Sequence, residues 1–230
     1  EQFEKIWHSN EAIVLNSDFI NMYEDFRNKS GNIETFDFKK AETEKEIFTP
    51  NKMQSELLEK LKLTRKFGNK KGLIVAATGT GKTYLAAMDI LLLKPESFLF
   101  IAHREELINN AFAVFSKILP YDKNEYGFLT GSEKNYNKKF LFSTIQSLYK
   151  NTEYFSKDTF EYIIIDEFHH SKASTYETVL AYFNPVFLLG LTATPERMDG
   201  KDILELCDYN LVGEMGLREA LEYDLLSPFH

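Results

Sequence analysis

The chain has 230 residues, of which 43% are hydrophobic and 27% charged, with a formal net charge of -8. At roughly 150 residues per domain this is one ordinary domain with an appendage, and the balance excludes disordered and fibrous classes. Apolar stretches such as Ile90-Leu91-Leu92-Leu93 and Val186-Phe187-Leu188-Leu189 are a fraction of the ~18 residues a membrane span needs, so a soluble protein without a membrane partner is expected.

Taken in chain order, residues 1–47 are acidic and pass through the polar turn cluster Asn28-Lys29-Ser30-Gly31-Asn32. They read as the tail of a preceding domain plus a linker, with the main domain at 48–230. The chain opens at Glu1 and closes on Ser227-Pro228-Phe229-His230, which suggests a piece of something longer. Between Asn51 and Gly72 come seven basic residues, including Lys60, Lys62, Arg65 and Lys66, against only Glu56 and Glu59. A solvated helix face is the expected use of such a run.

From there the pattern alternates. Gly72 to Ala77, Ser97 to Ala102, Lys139 to Phe142, Tyr162 to Ile165 and Val186 to Leu191 are short β-branched or aromatic runs that read as buried strands. Lys82 to Leu93, Glu105 to Leu119 and Thr175 to Phe183 have helical length and spacing. Strand then helix, repeated, predicts an α/β domain with a mostly parallel sheet and helices on both faces. Its ligand is expected at the carboxyl ends of the strands. The single cysteine, Cys207, excludes an internal disulfide and fits a reducing cytoplasm, as an inert thiol on the apolar side of a short helix.

Two constellations carry chemistry. The run Thr78-Gly79-Thr80-Gly81-Lys82-Thr83 lies between a hydrophobic strand and a helix, the context a phosphate loop requires. Glycines let the backbone approach a triphosphate, backbone N–H groups and the helix N-terminus favour its charge, Lys82 reaches the outer phosphates and the Thr83 hydroxyl coordinates Mg2+. The usual pattern wants glycine at position 76, where this chain has Ala76. Further on, the buried strand Tyr162-Ile163-Ile164-Ile165 ends in Asp166-Glu167. Asp166 is expected to hold Mg2+, and Glu167 to orient and deprotonate the water that attacks the terminal phosphate.

Together with Asp166-Glu167-Phe168-His169-His170 and Gly190-Leu191-Thr192-Ala193-Thr194-Pro195, these runs make the chain resemble a superfamily 2 helicase of the DEAD/DEAH type. The resemblance covers roughly Phe48 to His230, the first of two RecA-like motor domains, and alanine at position 76 is common in that family. It implies ATP hydrolysis coupled to movement on nucleic acid. By position, Gln54 is then expected to read adenine, and Arg104 to meet a backbone phosphate. The runs Leu129-Thr130-Gly131 and Ser143-Thr144-Ile145-Gln146 resemble later strand-contacting motifs, with hydroxyls and N–H groups facing phosphates. His169 with Thr192 and Thr194 is expected to relay nucleotide state to that edge. The resemblance also implies a second RecA-like domain that supplies an arginine finger.

The stretch from Gly190 to Arg197, with Asp199-Gly200-Lys201 and Leu217-Arg218-Glu219-Ala220-Leu221, is most similar to restriction-enzyme motors, among them type III Res subunits, and to DNA-repair translocases. Double-stranded DNA is therefore the expected partner, with an RNA helicase or a nucleotide-dependent binding switch as alternatives. Phe3-Glu4-Lys5-Ile6-Trp7 through Tyr23 resembles the end of a phospholipase D-like nuclease domain, which implies a nuclease domain in the parent chain.

Overall fold

The computed structural model describes residues 49–166, 173–193 and 203–215. Seven strands run through them: β1 (Lys71–Ala76), β2 (Phe98–Ala102), β3 (Tyr126–Leu129), β4 (Phe140–Thr144), β5 (Tyr162–Ile165), β6 (Phe187–Thr192) and β7 (Leu211–Met215). They form one sheet in the order β3-β4-β2-β5-β6-β1-β7, and every neighbouring pair is parallel. Parallel neighbours cannot be joined by hairpins, so the chain crosses back between strands, mostly through helices. Those are α2 (Lys82–Leu93), α3 (Glu105–Ile118), α4 (Ile145–Lys150), α5 (Ala173–Tyr182) and the single turn α6 (Ile203–Leu206), with α1 (Lys52–Lys66) ahead of β1.

The period of two along each strand sorts side chains onto two faces. Phe98, Phe100 and Ala102 of β2 join α1, α2 and α3 in one apolar layer, which also holds Ile74, Phe142, Ile164 and Leu189. Leu99 and Ile101, one residue out of phase, face α4 and α5 with Leu73, Leu141, Ile163 and Leu188. Each helix offers one stripe to its layer. In α3 the stripe is Ile108, Ala111 and Phe115, at helical spacing, and in α1 it is Met53, Leu57, Leu58 and Leu61.

The five strands and three long helices expected from the sequence are all present, and the helices cover both faces. Two edge strands, β3 and β7, join them, as do α1 and α4. The basic run is helical from Lys52 to Lys66, as expected, with Lys52, Lys60, Lys62 and Lys66 exposed, while Lys71 already belongs to β1. Arg65 departs from that expectation, because its guanidinium is turned inward onto Asp89. Cys207 lies just past α6 with its side chain buried in the second layer. Among the described residues no helix is long and apolar enough to cross a membrane.

Because all pairs are parallel, the carboxyl ends of the strands share one edge. The phosphate loop leaves β1 there, Arg104 follows β2, Thr130 follows β3, Thr144 closes β4, Asp166 follows β5 and Thr192 closes β6. Residues far apart in sequence are thus lined along one rim.

Candidate active site

The loop after β1 owes its path to two glycines. Gly79 has φ 85° and Gly81 φ 83°, the left-handed region that costs an L-residue roughly 1–2 kcal/mol. Gly81 caps the N-terminus of α2, and a methyl group there would lie 2.8 Å from Nε2 of Gln54. Ala76 needs no such freedom. It is the last residue of β1, pairs with Met215, and buries its methyl in the first apolar layer.

Lys82, the first residue of α2, is 8% exposed, and its ammonium donates to the carbonyls of Ala76 at 2.7 Å and Ala77 at 3.2 Å. The Thr80 hydroxyl donates to the Ala77 carbonyl at 2.7 Å and is buried beneath the loop, which it braces from inside. Thr78 and Gly79 form the exposed rim. Above them opens a cleft of about 330 Å³ lined by Thr78, Gly79, Gly81, Lys82, Thr83 and Asp166. The Asp166 N–H bonds to the Ile101 carbonyl at 2.9 Å, so the ladder between β5 and β2 runs one residue past the strand and fixes where this carboxylate stands. The loop and the acid, separated in sequence by three helices and the strands β2, β3 and β4, therefore share one cavity.

Gln54 touches the same loop from the other side. It is the third residue of α1 and forms a reciprocal cap with Asn51: its N–H donates to Oδ1 of Asn51 at 2.8 Å, and its Oε1 accepts from the Asn51 N–H at 3.0 Å. Its Nε2 donates to the Gly81 carbonyl at 3.5 Å. The cleft has a second wall that sequence reading did not find, made by Tyr84 of α2 and by Leu107, Asn110, Ala111 and Val114 of α3. Tyr84 carries a faint signal, directly following Thr83; the α3 residues carry none.

Along the rim, Arg104 is exposed at the N-cap of α3 in extended backbone. The Thr130 hydroxyl is buried. It donates to Oε1 of Glu105 at 3.2 Å and accepts the Glu133 N–H at 3.2 Å. Ser132 Oγ donates to the same Glu105 oxygen at 2.6 Å. Thr144 caps α4, its hydroxyl accepting the Ser147 N–H at 3.4 Å. Both threonine hydroxyls thus have local structural partners, while Arg104, Gly131 and Gln146 stand exposed. Thr192 is fully buried, paired across the ladder with Val75 next to the phosphate loop. Glu167, His169, His170 and Thr194 lie outside the described residues.

A buried cluster at the opposite, amino edge was not read from sequence at all. The carboxylate of Asp89 in α2, 1% exposed, receives both guanidinium nitrogens of Arg65 at 2.7 and 2.8 Å and the Tyr162 hydroxyl at 2.6 Å. The Arg65 guanidinium also lies 5.1 Å from the ring centre of Phe187. Burial works to lower the Arg65 pKa, but the hydrogen bonds and charge of Asp89 outweigh it and the net shift is upward. Complete burial, and then the Asp89 charge, push Tyr162 well above the usual phenol range. The sequence did hold a signal: Asp89 is the one charge within Leu85-Ala86-Ala87-Met88-Asp89-Ile90-Leu91, and a buried carboxylate demands partners.

A parallel sheet with this strand order, a glycine loop ending in Gly-Lys-Thr and an acid at the end of β5 define the RecA-like ATPase domain of a superfamily 2 helicase or translocase. The family model described as "Type III restriction enzyme, res subunit" matches residues 47–197, and the chain belongs to that family. It is 33% identical over 153 residues to a DNA 3'-5' translocase, XPB2, of Sulfurisphaera tokodaii, covering 66% of this chain and 33% of that protein. It is 29% identical over 189 residues to the EcoAI type I restriction enzyme endonuclease subunit of Escherichia coli, covering 70% of this chain and 21% of the relative. The Hef helicase domain of Pyrococcus furiosus shares the fold with a TM-score of 0.58 at 21% identity, over 72% of this chain and 39% of that structure. The chain thus spans a third or less of the curated relatives it matches. None of these comparisons supports the phospholipase D-like relationship expected for the first residues, which lie outside the described ones.

Proposed function

We propose that this chain is the nucleotide-hydrolysing part of a motor that moves on double-stranded DNA within a restriction or other DNA-processing enzyme. The observation that carries this reading is the cleft shared by the phosphate loop, Lys82, Thr83 and Asp166. Backbone N–H groups of the loop and the N-terminus of α2 suit a triphosphate. Lys82, now on the Ala76 and Ala77 carbonyls, exchanges them for phosphate oxygens, one polar partner for another. The Thr83 hydroxyl and the Asp166 carboxylate are hard oxygen donors that fit Mg2+, and they are the residues that would hold it. The metal, when bound, neutralises charge on the phosphates. Glu167 is the base that orients and deprotonates water, and Gln54 reads adenine.

DNA meets the same rim through Arg104 and Gln146 and through the backbone around Thr130, Gly131 and Thr144, contacts that position without reading sequence. The similarity to a protein named as a DNA translocase supports DNA over RNA. His169, Thr192 and Thr194 couple the two sites. A second RecA-like domain supplies the arginine finger, worth ~10³–10⁵ in rate, so this chain by itself turns ATP over barely above background. A nuclease in the same protein or complex is the natural consumer of the motor's work.

The test is ATP hydrolysis by the full-length protein without nucleic acid, with duplex DNA and with RNA, beside a Lys82→Ala control. Stimulation by duplex DNA that vanishes in the control supports the motor. Stimulation by RNA alone moves the reading to an RNA helicase. No stimulation, with nucleotide-dependent DNA binding retained, moves it to a switch.

A further inference from the structure

Four elements bring candidate nucleotide-site groups to the carboxyl edge: α1 carries Gln54, α2 carries Lys82 and Thr83, β5 leads to Asp166, and β6 ends at Thr192. All four meet again at the other edge of the sheet, around one carboxylate. Asp89 belongs to α2, Arg65 to α1 and Tyr162 to β5, while Phe187, the first residue of β6, lies under the guanidinium and pairs with Tyr162 across the ladder. We propose that Asp89, with Arg65 and Tyr162, is a positioning cluster that sets the register of these elements and thereby the geometry of the nucleotide site; the proposal rests on the nucleotide-site reading above.

The physical argument is that an apolar helix interface alone resists sliding weakly, because hydrophobic contact is non-directional. A bidentate Arg–carboxylate pair has direction and fixed geometry. Between Gln54 and Arg65 the helix rises ~16 Å at 1.5 Å per residue. Over that length α1 is fastened to α2 at both ends, by Gln54 on the Gly81 carbonyl and by Arg65 on Asp89. The Gln54 contact is long, so the short Arg65–Asp89 fork supplies most of the restraint that holds α1 in register and keeps Gln54 against the loop. The β5 arm ends on the same oxygen: the Tyr162 hydroxyl, at the start of the strand whose end carries Asp166, donates to Oδ2 of Asp89, the atom that Nη1 of Arg65 also reaches.

Each single substitution removes one arm and leaves the other's bond to Asp89, so the arms are testable one at a time, without nucleic acid, and failure of the DNA-motor reading stays distinguishable. In the full-length protein, Arg65→Lys keeps the charge and loses the fork. It should raise the Kd for a fluorescent ATP analogue about tenfold, ~1.4 kcal/mol, and erode the preference over the matching GTP analogue, with basal kcat little changed. Tyr162→Phe should lower basal kcat about tenfold, the order expected of a small misplacement at the reacting centre, and leave the ATP-analogue Kd within about twofold. The apolar triple Arg65→Met, Asp89→Leu and Tyr162→Phe covers the case in which a single variant folds poorly, since apolar replacement of a buried ionic cluster is often neutral for stability and the phenylalanine leaves no buried hydroxyl without its acceptor. Its Tm should stay near that of the unsubstituted protein while its Kd stays raised. The proposal is overturned if the single variants shift Tm alone, if both move Kd and kcat in the same proportion, or if the apolar triple binds the ATP analogue as the unsubstituted protein does.

Discussion

The sheet has two halves that solve different problems. Under β3, β4 and β2 the first apolar layer is a cluster of phenylalanines, with Phe98, Phe100, Phe112, Phe115, Phe140 and Phe142 in mutual ring contact. The groups at its rim are held by short-range bonds such as Thr130 to Glu105 and Thr144 to Ser147. Under β5, β6 and β1 the helices pack with smaller side chains, among them Ala86, Ala87 and Ile90, and a charged cluster ties their far ends. Aromatic packing supplies stability without demanding one register, which would suffice for the edge proposed to meet a uniform phosphate backbone. The proposed nucleotide site, where displacements of about an ångström can cost ~100-fold, needs directional ties, and that half of the sheet has them.

The contrast can be broken most sharply at Lys82. Lys82→Ala should cut DNA-stimulated ATP hydrolysis by ~10²–10³, the scale of losing one aligned charge stabiliser, while nucleotide-free affinity for duplex DNA stays within about twofold. An equal loss of DNA binding, measured by fluorescence anisotropy, would mean the halves are not separable. Next comes Gly81→Ala, which forces a left-handed backbone on an L-residue and drives a methyl toward Gln54. A destabilisation of ~1–2 kcal/mol in urea unfolding is expected, together with weaker binding of an ATP analogue.

Tyr162 gives a pH test of the tie itself. Its folded pKa is raised by burial, while the unfolded phenol releases its proton near ~10. The contribution is therefore whole below that pH and is lost as pH rises from there toward the folded value, at up to ~1.4 kcal/mol per pH unit. Urea unfolding between neutral and strongly alkaline pH should show a shallower decline in Tyr162→Phe than in the unsubstituted protein. The smallest effect is at the rim: Arg104→Ala should weaken DNA binding evenly across sequences and reduce the salt slope by about 1, leaving ATP affinity intact.

What the sequence made legible was local. Five strands, three helices and the phosphate loop each announce themselves within a few residues, by β-branched runs, helical spacing or Gly-Lys-Thr. The edge strands escaped because Tyr126-Gly127-Phe128-Leu129 and Leu211-Val212-Gly213-Glu214-Met215 are short and carry a glycine, which weakens the pattern. Arg65 was hidden among lysines, and its bond to Asp89 joins two helices whose pairing no local window records. The same holds for the α3 wall of the cleft. Asn110 has no motif around it, and it faces the phosphate loop only because β1 and β2 are not neighbours, being separated in the sheet by β5 and β6. Thr130 and Thr144 show the reverse: their positions at the rim follow from the motifs, but their hydroxyls serve the turns that hold them.

The place of β1 also bears on how the protein is made. This strand leads into the phosphate loop, yet its two neighbours, β6 and β7, are the last strands of the described chain, with Val75 beside Thr192 and Leu73 beside Leu211. At ~5–20 residues per second a ribosome needs on the order of ten seconds to go from one to the other. Through that interval β1 has left the exit tunnel with both hydrogen-bonding edges unmatched, an apolar ribbon open to wrong partners. The phosphate loop is therefore synthesised well before the strands that seat it, so nascent chains halted before Leu211 should be held by chaperones and should not bind nucleotide.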